Sequence, residues 1–139
     1  MSQIIADTGP LVAFVQENDA RSKWTWQTFD RLHPPFLTCD SVISEACFLE
    51  ARVGGNPDDL LDLVSRGLIE LHFDLGQEFE RVRALMKRYR NVPMSLADAC
   101  LVRMTEQTPD CRVVTFDRDF RIYRRHDRRP IPVLMPDDS

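Results

Sequence analysis

The chain is 139 residues long, with 43% hydrophobic and 29% charged residues and a formal net charge of −4. That length suits one compact domain, 1–139, able to bury roughly two-thirds of its unfolded surface without covalent staples, and the composition argues against a disordered chain or a fibre. No apolar run approaches the roughly 20 residues of a membrane span, and the N-terminus lacks the basic start and apolar core of a secretory signal, so the expected location is the cytoplasm.

Ser2 to Ala6 is short, apolar and isoleucine-containing, as a buried strand would be. Gly9-Pro10 ends it, and Pro10 is placed for the first turn of a helix through Val15. A second helix is predicted from Asp19 to Leu32, stopped by Pro34-Pro35. Phe36 to Cys39 reads as a short strand. From Asp40 to Val53, Val42, Ile43, Ala46, Cys47 and Leu49 recur at helical spacing, and Gly54-Gly55 closes that element. Pro57 opens a further helix that ends at Gly67, and Leu68 to Phe73 resembles a strand. Between Gln77 and Arg90 an apolar stripe of Phe79, Val82, Leu85, Met86 and Tyr89 predicts a helix with acids first and cations last, which suits its dipole. Ser95 to Gln107 is the next helix, Arg112 to Thr115 a strand, and Ile131 to Leu134 a final short one. Strands alternating with helices predict an α/β fold: a three-layer α/β/α sandwich with a mainly parallel sheet.

Cys39, Cys47, Cys100 and Cys111 form no Cys-x-x-Cys pair, and His33, His72 and His126 have no ligand-like spacing, so the expectation is free thiols and no zinc site. The negative net charge hides basic segments. RVVTFDRDFRIYRRHDRR, from Arg112 to Arg129, is rich in arginine, whose planar fork suits phosphate, although a solvated charged surface explains it equally well.

Asp7-Thr8-Gly9 is the active-site triplet of aspartic proteases, but those need an all-β half-barrel paired with a second copy, and this chain has too much helical periodicity. In open α/β sheets ligands bind outside the carboxyl ends of the strands. Asp7 and Asp117 each lie just past a strand, while Glu45 and Asp98 lie in the first turns of helices, so all four can gather at one sheet edge. Each alone has a structural explanation: Asp7 and Asp117 as turn residues, Ser95-x-x-Asp98 as a capping box, Glu45 as a surface residue. Together they would repel one another without a cation, and oxygen donors lacking imidazole or thiolate suit a hard ion such as Mg²⁺ or Mn²⁺. Such a cluster supports hydrolysis of a phosphodiester by activated water, without a side-chain nucleophile.

Four ordered blocks, IIADTGPLVAF, SVISEACFLEA, MSLADACLVRM and VVTFDRDF, resemble the PIN domain, and within it the VapC-like ribonuclease toxins of bacterial toxin–antitoxin pairs. The resemblance covers nearly the whole chain. It implies that Asp7, Glu45, Asp98 and Asp117 hold the metal, that Thr8 and Thr115 are supporting hydroxyls, and that Ser95 caps its helix. Asp119 would touch a second ion or merely anchor its turn. The resemblance also implies dependence on Mg²⁺ or Mn²⁺, a homodimer, an antitoxin protein whose C-terminal segment lies across the pocket, and RNA as substrate, in a single-stranded or structured loop.

Arg118, Arg121, Arg124 and Arg125 follow Asp117 and are the expected RNA contacts. Trp24 and Trp26, two apart on a helix, cannot both face one core; packing into a core or loop is the expectation, and the alternative is that one stacks on a base or meets a second subunit. The expected function is a metal-dependent endoribonuclease. The alternative from another class is an interaction module of the same fold that binds nucleic acid or protein without turnover. Two other phosphoryl-transfer families fit less well: an Asp-x-Asp phosphatase needs an acid at Gly9, and a receiver domain needs a lysine where Arg118 stands.

Overall fold

A computed structural model describes residues 2–136. Its centre is a five-stranded, fully parallel sheet of β1 (Gln3–Ala6), β2 (Phe36–Thr38), β3 (Ile69–Leu71), β4 (Cys111–Val114) and β7 (Val133–Leu134), in the order β3-β2-β1-β4-β7. β1 is the middle strand, and Ile4, Ile5 and Ala6 are all buried, because a strand covered on both faces needs apolar side chains at every position rather than at alternate ones. Six helices flank the sheet: α1 (Thr8–Val15), α2 (Ser22–Asp30), α3 (Asp40–Arg52), α4 (Asp58–Ser65), α5 (Leu75–Arg88) and α6 (Leu96–Gln107). α1 packs on α2 and α3, and α5 packs on α6. This is the α/β/α sandwich the alternation of elements predicts. Among the described residues, no helix is long and apolar enough to cross a membrane.

Local chemistry explains most boundaries. Asp74 caps α5 by accepting from the Gln77 N–H (3.3 Å), so that helix begins at Leu75, earlier than its apolar stripe indicates. α4 closes in a Schellman arrangement, with Leu68 N–H bonded to Leu63 C=O (3.0 Å) and Gly67 N–H to Val64 C=O (3.1 Å); the φ of +82° at Gly67 is one that other residues adopt at a cost. α2 is shorter than the predicted span because the Asp19 carboxylate accepts from the Arg21 N–H (2.8 Å), which holds residues 19–21 in a turn.

Three elements have no counterpart in the sequence reading. A 3-10 turn, η1, spans Arg118–Arg121, and β5 (Arg124–Arg125) pairs antiparallel with β6 (Arg129–Pro130). The hairpin turn places His126 and Asp127 at φ values of 52° and 68°. Those residues lack the usual Asn-Gly signature of such turns. The buried Glu106 carboxylate holds this turn from outside, accepting from the His126 N–H at 2.7 Å. All four cysteines are free.

Candidate active site

Register builds the site. β1 and β4 run parallel with Ala6 opposite Val114, so the next residues, Asp7 and Thr115, emerge side by side at the carboxyl edge of the sheet. The Thr115 hydroxyl donates to Asp7 Oδ2 (2.7 Å) and accepts from the Asp117 N–H (2.9 Å), which ties the ends of the two strands together. Asp7 Oδ1 accepts from the Thr8 N–H (2.7 Å), so Asp7 is also the N-cap of α1. Helices that connect parallel strands start at this same edge. α3 follows β2 and carries Glu45 in its second turn, where Oε2 accepts from the Thr8 hydroxyl at 3.3 Å. α6 begins with a capping box: Ser95 Oγ accepts from the Asp98 N–H (3.0 Å), and Asp98 Oδ2 accepts from the Ser95 N–H (3.0 Å). Asp98 is therefore at once a capping residue and a member of the acidic set.

Asp7, Glu45, Asp98 and Asp117 line one cleft of about 390 Å³, with Thr8, Gly9, Arg21, Leu49, Ser95 and Phe116. Among the described residues, neither histidine nor cysteine lines it. Burial is the main force on Asp7, which is 8% exposed, and it pushes the carboxyl up to about 6. The hydrogen bonds from Thr115 and Thr8 pull the other way, and the charges of Asp98 and Asp117 add to the rise. Asp98 is raised for the same two reasons, burial first and the Asp117 charge after it. Burial and the neighbouring aspartates raise the Tyr123 phenol well above its usual range, so it stays a donor, placed 3.4 Å from Asp98 Oδ2 and 3.1 Å from Pro93 O.

Among the described residues, no group of three or more His, Cys, Asp or Glu side chains is gathered closely enough to hold an ion as it stands. The donor set nonetheless fits a hard divalent cation: four carboxylates from four segments share one cleft, and burial, with the neighbouring aspartate charges adding to it, raises two of them above the ordinary carboxylate range.

Other expected contacts fall differently. Asp119 does not line the cleft. Its N–H donates to Asp117 Oδ1 (2.9 Å), and its carbonyl accepts from Ile122 and Tyr123, so it anchors the η1 turn. Arg125 is not an available RNA contact. It is 8% exposed, and its guanidinium is turned inward onto the carbonyls of Thr105, Thr108 and Pro109, because the loop after α6 leaves those oxygens without helical partners. Arg124 Nη1 is likewise spent on the carbonyls of Arg121, Ile122 and Tyr123. Arg118 and Arg121 remain exposed.

Three residues of the site escape sequence reasoning. Arg21 reaches the cleft from the loop before α2, and its guanidinium lies over the Phe116 ring, 4.0 Å from the centroid. Phe116, between Thr115 and Asp117, sits so close to Gly9 that a Cβ there would lie 2.7 Å from Phe116 Cδ2, which is why a glycine follows Asp-Thr. Tyr123, fully buried, supports Asp98 from a segment with no helical or strand periodicity. Position beside two motif residues was a signal for Phe116; Arg21 and Tyr123 had none.

No family model matches the sequence, and no curated protein matches it. Among solved structures, that of Mycobacterium tuberculosis VapC20, described as a sarcin-ricin loop cleaving toxin, superimposes with a TM-score of 0.75 at 20% identity. The match covers 84% of this chain and 92% of that one. The chain has a VapC-like PIN fold.

Proposed function

We propose that this protein is a metal-dependent endoribonuclease, a hydrolase of RNA phosphodiester bonds acting as the toxin of a bacterial toxin–antitoxin pair. One observation carries the reading: Asp7, Glu45, Asp98 and Asp117, scattered over more than a hundred residues, line a single cleft at the carboxyl edge of a parallel sheet. The PIN fold of a structural neighbour that cleaves an RNA loop supports it at the level of fold.

In this reading Asp7, Glu45, Asp98 and Asp117 hold Mg²⁺ or Mn²⁺. When bound, the ion supplies Lewis-acid polarisation of a phosphoryl oxygen and acidifies the attacking water. Thr115 fixes the rotamer of Asp7 and the backbone at Asp117; Thr8 does the same for Glu45. Tyr123 and the Ser95 N–H engage one oxygen of Asp98, and neither bonds the other. Arg21 presents the nearest cation to a phosphate arriving in an otherwise acidic cleft. The substrate class is RNA with an accessible loop, whose unstacked nucleotides are the ones protein side chains can reach. A homodimer, a protein antitoxin that covers the cleft, and a cytoplasmic location complete the proposal, with residues 1–139 as one domain.

The test is incubation of purified protein with single-stranded and loop-containing RNA in Mg²⁺, Mn²⁺ or EDTA, with Asp7→Asn alongside. Cleavage that requires both metal and Asp7 is expected. Binding of RNA or a protein partner without turnover, unchanged in Asp7→Asn, would instead establish an interaction module.

A further inference from the structure

A second cavity, of about 580 Å³, lies beside the acidic cleft and is lined by Trp24, Thr28, Arg31, Arg121, Leu134 and Met135, among others. Phe116 and Trp24 separate the two spaces. Phe116 lines the acidic cleft and Trp24 the second cavity, with their rings packed edge to face at 5.8 Å between centroids. Arg21 lies over that same Phe116 ring. Thr28 is 2% exposed, and among the described residues nothing bonds its hydroxyl, whose oxygen lies behind the cavity wall rather than on its surface.

From this arrangement we infer that the cavity bounded by Trp24, Thr28, Arg31 and Arg121 is a nucleotide subsite, which takes a base of the RNA strand flanking the scissile phosphate. The inference rests on the nuclease reading above and assigns the part of the substrate that reading leaves unheld. Arg21 is the one cation among the described residues that line the acidic cleft, so further attraction for the flanking strand has to come from next to it. Arg31, the residue after the last turn of α2, is exposed and donates to a backbone carbonyl of that helix, Gln27 O at 3.2 Å; among the described residues no carboxylate pairs with it. Arg121 brings a second guanidinium to the same wall. Guanidinium pairs suit phosphate, and an indole suits a base of any identity. The volume is that of a site for a ligand of nucleotide size.

The test uses the full chain. A fluorescein-labelled single-stranded RNA of about ten nucleotides is titrated into Asp7→Asn protein carrying Arg31→Ala, Arg31→Glu or Trp24→Leu, and steady-state cleavage is measured in the corresponding variants with Asp7 intact. Arg66→Ala, on α4 and paired with Asp62, is the charge control. Arg31→Ala is expected to weaken binding about fivefold and to flatten the plot of log affinity against log salt by about 0.7; Arg31→Glu should weaken it more than tenfold. Trp24→Leu is expected to lose about tenfold, with an unchanged salt slope, since stacking carries no charge. In cleavage, KM should rise while kcat holds. Arg31 is a surface residue whose loss leaves the core intact, so its result stands even if Trp24→Leu is poorly folded.

If the wild type cleaves RNA but all three variants keep its KM and salt slope, the subsite is wrong and the nuclease reading stands. Should the wild type neither bind nor cleave single-stranded RNA, both fall together.

Discussion

Asp7→Asn should make the protein more stable while it abolishes cleavage, and the size of the gain follows from the burial of that carboxyl. The folded state holds the Asp7 proton with a pKa of about 6, against an ordinary value of 3.8. A raised carboxyl means the folded state binds more protons than the unfolded state between those two values, so stability falls as pH rises through that window. Below about pH 4 the carboxyl costs nothing; above about pH 7 the full penalty is present, about 3 kcal/mol. Asparagine carries no charge to desolvate. It does disturb the hydrogen bonds: its amide faces the Thr115 hydroxyl, which must turn to accept while still accepting from the Asp117 N–H, at a cost of about 1 kcal/mol. The net expectation at pH 7.5 in EDTA is stabilisation by about 2 kcal/mol, or roughly 6–8 °C in Tm for a domain of this size. Urea unfolding of both proteins at intervals from pH 4 to 8 measures it. The gap should close toward pH 4. If the acidic set holds the ion as proposed, addition of Mg²⁺ should raise the wild-type Tm more than that of the variant, which lacks one of the carboxylates. A variant less stable than wild type at every pH, or a gap that does not change with pH, would refute the electrostatic account of this site.

Thr115→Val removes both the donor to Asp7 and the acceptor for the Asp117 N–H, and is expected to lose about 1–3 kcal/mol of stability and most of the cleavage rate, whereas Thr115→Ser should retain both; thermal melts and a cleavage time course distinguish them. For Glu106, burial would raise the carboxyl, but bonds from Arg81, the His126 N–H and Arg103 outweigh it and hold it below its ordinary range. Its stabilisation is therefore present at neutral pH and lost as pH falls through the carboxylate range. Glu106→Gln should cost about 2–3 kcal/mol at pH 7 and progressively less in acid, as read by urea midpoints. Glu50, 1% exposed, has Oε1 bonded to Gln16 at 3.2 Å and Oε2 without a partner, and burial raises its carboxyl. Glu50→Gln should consequently raise Tm at pH 8 and leave it unchanged at pH 4; equal effects at both would contradict this.

Much of the molecule was legible before any coordinates, for local reasons. β1 reads as a buried strand because every side chain is apolar, and α6 reads as a helix because Ser95 and Asp98 form a capping box within four residues. The same locality let Asp7 and Asp117 be placed past strand ends. That they share a cleft with Glu45 and Asp98 rested on a general rule for parallel sheets, and the register of Ala6 against Val114 gave it distances.

Where partners are distant in the chain, the sequence was silent or misleading. Arg118, Arg121, Arg124 and Arg125 look equivalent as a run, yet Arg125 is buried on the carbonyls after α6, while Arg121 faces a cavity beside Trp24. Arg21 and Phe116, 95 positions apart in the chain, meet at 4.0 Å with no local pattern to announce it. The sequence by itself determined the six helices, the five strands of the main sheet and which acids stand at their ends, because caps, turns and periodicity act over a few residues. Only the tertiary structure decided which cations face the cleft and which serve the backbone, since that choice depends on which distant carbonyls the fold leaves unpaired.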